Sequence, residues 1–350
     1  MRYLYNCWYM AAWADEVSKG DMLSRKLLDQ RIVFFRDSAN RVQALRDRCP
    51  HRFAPLSKGR VEGDVILCGY HGLGFDGSGT CTLNPHGPLT RAHAVKSYPV
   101  QEAFRALWIW MGDPGKASRH LLPALGFVDA APDTAFSKGY VAGKGHYQLW
   151  SDNIMDLTHA DFLHPTTLGG GTFTRAKAKV SEYEGKVRIR WDCMNEEPTP
   201  LMRSMRDMTG KVDSWTEVEW SAPGIMTLRN GSVPTGTPRE LGGSVLNLHI
   251  MTPESKDKTH YFFASTRDFA EDNADLNAMF ARIRQEIFTT EDEPMIAAQY
   301  CAMEGEEFWT LKPALLRIDE GSILVRRRLD RMISEEEQQS PAIHPSDEAE

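Results

Sequence analysis

Two short segments, Cys49-Pro50-His51 and Cys68-Gly69-Tyr70-His71, restrict this chain more than any other feature. Each sets one thiol and one imidazole on a tight turn beside a strand pattern. Strand-like runs from Arg31 to Asp37 and Arg41 to Arg48 flank the hairpin-like Ser38-Ala39-Asn40; Val65 to Tyr70 follows, and Phe104 to Met111 closes a β-rich region. Four such ligands can satisfy a tetrahedral zinc as Cys2His2. Zinc fingers, however, pair Cys with Cys and His with His, whereas here each loop supplies one of each.

The mixed pairing suits a Rieske two-iron, two-sulfur cluster, in which two Cys bind one iron and two His bind the other. Pro50, Gly69, Gly72 and Gly74 let the backbone approach the cluster sulfurs closely. Backbone donors there, and neutral imidazoles in place of two thiolates, raise the potential. Cys49, His51, Cys68 and His71 are the predicted cluster ligands. Cys7, Cys81, Cys193 and Cys301 are assigned to structure, and His86 has no clear role.

A second constellation lies in Leu149 to Gly169, where Asp152, Asn153, Asp156, His159, Asp161 and His164 fall on or after a helical pattern ending before Pro165. Residues five apart differ by about 140° on a regular helix, so a local distortion or a helix end is required to aim His159 and His164 at one metal. Asp156 and His159, at i and i+3, share a face. A 2-His-1-carboxylate iron site needs one further oxygen ligand and leaves positions open for dioxygen. The candidates lie in "IFTTEDEPMIAAQ", beside an apolar face of Phe280, Ile283, Ile287 and Met295. Helical phase excludes Glu293 and leaves Glu291 nearer the face centre than Asp292, while Pro294 disturbs the phase. Periodicity does not choose between Glu291 and Asp292.

A length of 350 residues accommodates two domains with large cores, and the segment from 112 to 123, rich in Gly, Pro and polar residues, reads as their boundary. The predicted domains are 1–120, β-rich around the Cys/His loops; 121–333, catalytic; and an acidic, disordered tail from 334 to 350. The tail carries -6 of the formal net charge of -7. Such a charge balance excludes nucleic acid as an obvious partner, and no apolar run is long enough to span a membrane. Without a recognisable export signal, a reducing cytoplasmic setting is expected. In the second part, Val180 to Trp191 alternates around Glu184-Gly185 as a hairpin, and strand patterns recur at Trp215 to Trp220, Ile225 to Leu228, Ser244 to Thr252 and His260 to Ser265. A helix pattern runs from Asn273 to Met303. The predicted fold class is α+β, an antiparallel sheet with flanking helices following a β-rich N-terminal domain.

The strings "NCWYMAAW", "CPHRFAPLSKG", "CGYHGLGFDGSG", "SDNIMDLTHADFLHPTTLG" and "TTEDEPMIA" resemble the Rieske non-heme iron oxygenases over nearly the whole chain. The likeness is strongest to vanillate O-demethylase oxygenase subunits, with dicamba and toluenesulfonate monooxygenases as similar relatives. The resemblance implies a Rieske domain, a helix-grip catalytic domain, and a head-to-tail homotrimer in which one subunit's cluster serves the next subunit's Fe(II). It implies His159, His164 and Asp292 as iron ligands, with Asn153 close by as a weak partner. It also implies that Asp156 bridges His159 to His71 of a neighbouring subunit.

The expected activity is O2-dependent O-demethylation of a methoxylated, vanillate-like aromatic acid with formaldehyde release. Electrons come from NAD(P)H through a separate flavin/2Fe-2S reductase or a ferredoxin. Hydroxylation of an aryl methyl group or a ring is the alternative within the family, and a non-catalytic Rieske electron carrier is the alternative of another class. For substrate, the strand patterns offer Arg229 and Asn230, then Asn247 and His249, the last two on one face. Either His249 or Arg229 can hold a carboxylate or phenol. The Gly-rich, basic loop from 169 to 179 is placed to gate the iron.

Overall fold

Aromatic and β-branched runs build three small antiparallel sheets in the first third of the chain. Trp8–Trp13 pairs with Ala106–Trp110, which pairs with Val100–Ala103. Met22–Leu27, Gln30–Arg36 and Val42–Arg46 form the second sheet, and Arg60–Glu62, Val65–Leu67, Gly74–Asp76 and Cys81–Leu83 the third. The first hairpin of the second sheet turns on Leu28 and Asp29, both at positive φ, the geometry that matches strand twist. Val33, Phe35, Leu45, Leu56, Ile66 and Phe75 pack into one core together with Cys49 and Cys68.

The computed structural model describes residues 2–206 and 208–339, and the chain divides into two units: Met1–Ala124 with Met332–Glu350, and Leu125–Arg331. The second unit is built on a seven-stranded antiparallel sheet in the order Phe136–Lys144, Lys258–Arg267, Ser244–Ser255, Ile225–Pro234, Val212–Ser221, Lys186–Glu196, Lys179–Tyr183. Six strands are a simple meander; the earliest returns to the far edge beside the last. The expected hairpin at Glu184-Gly185 is present, with both residues at positive φ. Helix Ala274–Ile287 packs on Phe136–Lys144, and helix Tyr147–Met155 on Ser244–Ser255. The mixed α+β class expected from the patterning is the class observed.

The expected tail is corrected in its first part. Ser334 to Gln339 are the closing turns of the helix Glu320–Gln339, and Glu336 is 8% exposed. Its carboxylate accepts the backbone N–H groups of Tyr5 at 2.7 Å and Asn6 at 2.6 Å. The rest of that expectation, 340–350, lies outside the described residues. No helix among the described residues is long and apolar enough to cross a membrane.

Candidate metal centres and active site

The two Cys/His loops share one backbone scheme. Cys49 N–H donates to Ala54 O at 2.8 Å and Cys68 N–H to Leu73 O at 2.8 Å, while Phe53 and Gly72 N–H groups return to the carbonyls of Cys49 and Cys68 at 2.9 and 3.0 Å. Both returning residues sit at positive φ, 59° and 74°, so Phe53 is held where a glycine is usual. A Cβ added at Gly69 falls 2.6 Å from the Lys58 carbonyl oxygen, which explains the glycine inside the second loop. Cys49 and Cys68 are buried and free, and the rings of His51 and His71 lie 4.5 Å apart on the outer side. The loop at His71 is braced by His86, whose Nε2 is 2.9 Å from the His71 carbonyl.

Burial, with Cys68 close by, pushes the Cys49 thiol up to about 11, so a thiolate there requires a positive partner. Desolvation and the neighbouring His51 ring lower His71, keeping it a neutral donor. Two buried thiols in mutual reach with two outward imidazoles fit the Cys2His2 demand of a Rieske cluster.

In the second unit the helix expected from Leu149 to Leu163 is interrupted. Tyr147–Met155 stops at Asp156, which leaves helical geometry at φ -125° and ψ 96°. A short 3-10 turn Leu157–His159 and a single helical turn Ala160–Leu163 follow, and His164 terminates the latter. This break supplies the distortion that two histidines five apart need in order to converge.

The carboxylate brought beside the two histidines is that of Asp292, 1% exposed. One ligand atom each from His159, His164 and Asp292 lie within 4.8 Å of one another. Asp292 Oδ1 is 3.2 Å from His164 Nε2 and 3.6 Å from His159 Nε2. The choice between Glu291 and Asp292 is resolved by a π-helical turn, Phe288–Asp292, which separates Ala274–Ile287 from Glu293–Ala302 and shifts the helical phase. Glu291 is used too, for its Oε2 lies 2.6 Å from His164 Nδ1. Burial presses His164 toward neutrality, but the Asp292 and Glu291 carboxylates outweigh it and raise the ring. Asn153 Nδ2 donates to Asp292 Oδ1 at 3.0 Å. Two nitrogens and one oxygen, with His164 and Asp292 buried and His159 half-buried, fit a facial 2-His-1-carboxylate iron site.

Asp156 departs from expectation. Nδ1 of His159 meets the backbone carbonyl of Asp156, not its carboxylate. The carboxylate Oδ1 instead accepts the N–H of Thr158 at 2.9 Å and its hydroxyl at 2.7 Å.

These groups open onto a cavity of about 180 Å³ with walls that include Leu157, Phe173, Leu228, Val245 and Phe288. Asn153, Asn230, Asn247 and His249 line it, and Arg229 does not. Strand alternation explains the correction: Leu228 and Asn230 face the cavity, and Arg229 between them is exposed on the opposite side. Asn247 Nδ2 donates to Asn230 Oδ1 and Leu228 O, both at 3.1 Å. His249 Nδ1 is 2.7 Å from the Tyr261 hydroxyl, and burial lowers the ring to about 3, so it stays neutral. His249 Nε2 and Asn247 Oδ1 are buried with no hydrogen-bond partner. The loop after the ligand helix is pinned rather than loose: Asp161 accepts the N–H groups of Gly171 at 2.8 Å and Thr174 at 2.7 Å. Glu291 as an outer partner of His164, and Arg284 and Tyr261 at or behind the cavity wall, are absent from the sequence-based assignment. Nothing in the residue pattern marks the latter two.

Comparison with known proteins finds two domain families in order along the chain. Residues 7–99 match the Rieske [2Fe-2S] domain, and residues 144–335 match the vanillate O-demethylase oxygenase C-terminal domain. The chain is 36% identical to the oxygenase component of chloroacetanilide N-alkylformylase of Rhizorhabdus wittichii, over 95% of this chain and 97% of that protein. It is 34% identical to the oxygenase component of dicamba O-demethylase of Stenotrophomonas maltophilia, over 95% and 98%. The crystal structure of dicamba monooxygenase bound to 3,6-dichlorosalicylic acid is similar with a TM-score of 0.90 at 32% identity, covering 96% of this chain and 99% of that one. An oxygenase component of this kind takes its electrons from a separate protein. With both family domains present in order and relatives matching end to end, the chain belongs to the Rieske non-heme iron oxygenases, as an oxygenase component whose catalytic domain is of the vanillate O-demethylase type.

Proposed function

We propose that this protein O-demethylates a methoxylated aromatic acid of vanillate-like size. The observation that carries the reading is the cavity itself: an apolar slot reached by His159, His164 and Asp292, with His249 Nε2 and Asn247 Oδ1 left without partners in its wall. A buried polar atom without a partner is costly, and a ring bearing polar groups supplies one. Relatives named as dicamba and vanillate O-demethylases support the choice of reaction.

In this reading His159, His164 and Asp292 hold Fe(II), and Cys49, His51, Cys68 and His71 hold the cluster. When bound, the iron activates dioxygen and the cluster delivers single electrons to it. Asn153 fixes the orientation of Asp292, and Glu291 fixes that of His164, so that both present their ligand atoms. The apolar walls exclude water and place the methoxy carbon toward the metal end. One oxygen atom enters a methoxy C–H bond, the other leaves as water with two electrons and two protons from the donor side, and the hemiacetal breaks its C–O bond to give a phenol and formaldehyde. Asp156 acts between protomers of a homotrimer, its backbone carbonyl holding His159 Nδ1 and its carboxylate meeting His71 of a neighbouring subunit. A flavin/2Fe-2S reductase or a ferredoxin, supplied with NAD(P)H, completes the system.

The test is oxygen-dependent formaldehyde release from methoxybenzoates with a reductase and NADH. Ring-hydroxylated product with the methoxy group intact overturns the proposal, as does hydroxymethyl product from methylated benzoates or benzenesulfonates in place of demethylation. A carrier role predicts only the cluster's two irons per chain, whereas the oxygenase predicts about three.

A further inference from the structure

Among the described residues that line the cavity, Arg284 is the one permanent cation. It sits on helix Ala274–Ile287, two turns before Asp292, about 12 Å along the axis. Its described hydrogen bonds go to the hydroxyls of Ser137 and Ser265, and its guanidinium lies 5.0 Å from the centre of the Phe280 ring. No carboxylate among the described residues forms an ion pair with it. Desolvation lowers it to about 9, so it remains charged at neutral pH, with neutral hydroxyls as its described hydrogen-bond partners. Its charge reaches His249 and Tyr261, the pair behind the unpartnered His249 Nε2.

Arg284 is half-buried, and an aromatic ring that fills the cavity strips water from its guanidinium, a loss of hydration that an opposite charge replaces. Two serine hydroxyls and a ring face orient a guanidinium without neutralising it. A fork of donors left uncompensated at the wall of a substrate cavity is matched by a planar or tetrahedral oxyanion.

We propose that Arg284 reads the charge of the substrate, receiving the carboxylate or sulfonate of an anionic aromatic compound whose other end reaches the metal site. Arg284 is thereby a specificity residue that excludes neutral aromatic ethers. The assignment rests on the cavity being the aromatic substrate site.

Binding to the holoenzyme without dioxygen tests it, using calorimetry on matched probes: 3-methoxybenzoate against 3-methoxybenzamide, and 4-toluenesulfonate against 4-toluenesulfonamide. At least one acid is expected to bind about thirtyfold or more tightly than its neutral partner, the gap that a desolvated charge pair produces. Arg284→Gln removes that gap and leaves affinity for the neutral partner within about twofold. Arg284→Lys, which keeps the charge but loses the fork, reduces the preference without abolishing it, and serves alone if the glutamine variant does not fold. The proposal is overturned if no acid binds better than its neutral partner, if Arg284→Gln weakens both probes equally, or if the lysine variant matches the parent. Acids that bind through Arg284 but release no formaldehyde overturn demethylation and leave the charge assignment standing. Equal formaldehyde release from acids and amides, unchanged in Arg284→Gln, does the reverse.

Discussion

Glu291 holds Nδ1 of His164 at 2.6 Å, which leaves Nε2 of the same ring 3.2 Å from Asp292 Oδ1. Two consecutive acids thus meet one histidine from opposite sides, Glu291 at Nδ1 and Asp292 at Nε2, and we assign the first as orienting partner and the second as fellow iron ligand. Carboxylate support of a ligating imidazole fixes the tautomer and raises basicity, and its loss commonly costs about 10–100-fold in metal affinity. Glu291→Ala is expected to weaken iron binding by that factor, measured by chelator competition, with the Rieske spectrum unchanged. Glu291→Gln, which keeps an acceptor oxygen, should fall between the variant and the parent. Equal iron affinity in the alanine variant removes Glu291 from this role.

The π-helical turn Phe288–Asp292 is what makes adjacent acids usable in this way. Glu293 N–H reaches back five residues to Phe288 O, and the threonine hydroxyls of 289 and 290 bond Gln285 O at 2.6 Å and Glu286 O at 2.8 Å. Those hydroxyls satisfy carbonyls at the position where the ladder widens. Deleting Thr290 restores regular phase and turns Asp292 by about 100° away from His159 and His164. The deletion should lower iron from about three atoms per chain to two while the cluster absorption persists. Retention of the third iron means the phase shift does not place Asp292.

The same turn shows where reading the chain stops short. Helical phase assumes a uniform ladder, so it favoured Glu291 and had no means to see the insertion that brings Asp292 inward. The Cys/His loops were legible because each is a short turn with its ligands at fixed offsets from one strand end. The meander from Lys179 to Arg267 was legible because Lys186–Glu196 alternates and the strands after it are β-branched and aromatic runs set between turn residues. Phe136–Lys144 was not: a Cβ at Gly139 falls 2.2 Å from the Phe263 ring and one at Gly143 falls 2.0 Å from the Trp150 ring, so packing has erased the side chains that carry alternation. Trp8–Trp13 is buried throughout and has no polar face to show. Arg229 and Asn230 differ by one step of strand parity, invisible until pairing fixes which face is inward. Arg284 reads as an ordinary polar position on an amphipathic helix, and only the cavity behind it reveals otherwise.

Asp156 combines two duties that substitution can separate. Its carboxylate caps Leu157–His159 through Thr158, and we assign the same side chain the bridge to a neighbouring subunit. Asparagine caps as well as aspartate, whereas alanine gives up about 1 kcal/mol. Asp156→Asn should therefore match the parent in denaturation midpoint and iron content yet slow reoxidation of the reduced cluster in a stopped-flow mix with substrate and dioxygen. Asp156→Ala should lose stability in addition. A parent rate of cluster reoxidation in the asparagine variant excludes the bridge.

Glu336 shows that the segment from 334 to 339, which charge counting assigned to a loose tail, is structural. It accepts two backbone N–H groups, from Tyr5 and Asn6, while its neighbour Glu337 forms an exposed fork with Arg2. Buried donors left unpaired cost about 1–3 kcal/mol, whereas an exposed ion pair contributes less than about 1 kcal/mol. Glu336→Ala should therefore lower the stability of the N-terminal unit by the larger amount, and Glu337→Ala by the smaller. Urea denaturation followed by cluster absorption measures both. A cost for Glu337→Ala equal to or above that for Glu336→Ala means that the surface pair, and not the capture of the Tyr5 and Asn6 backbone, anchors this helix.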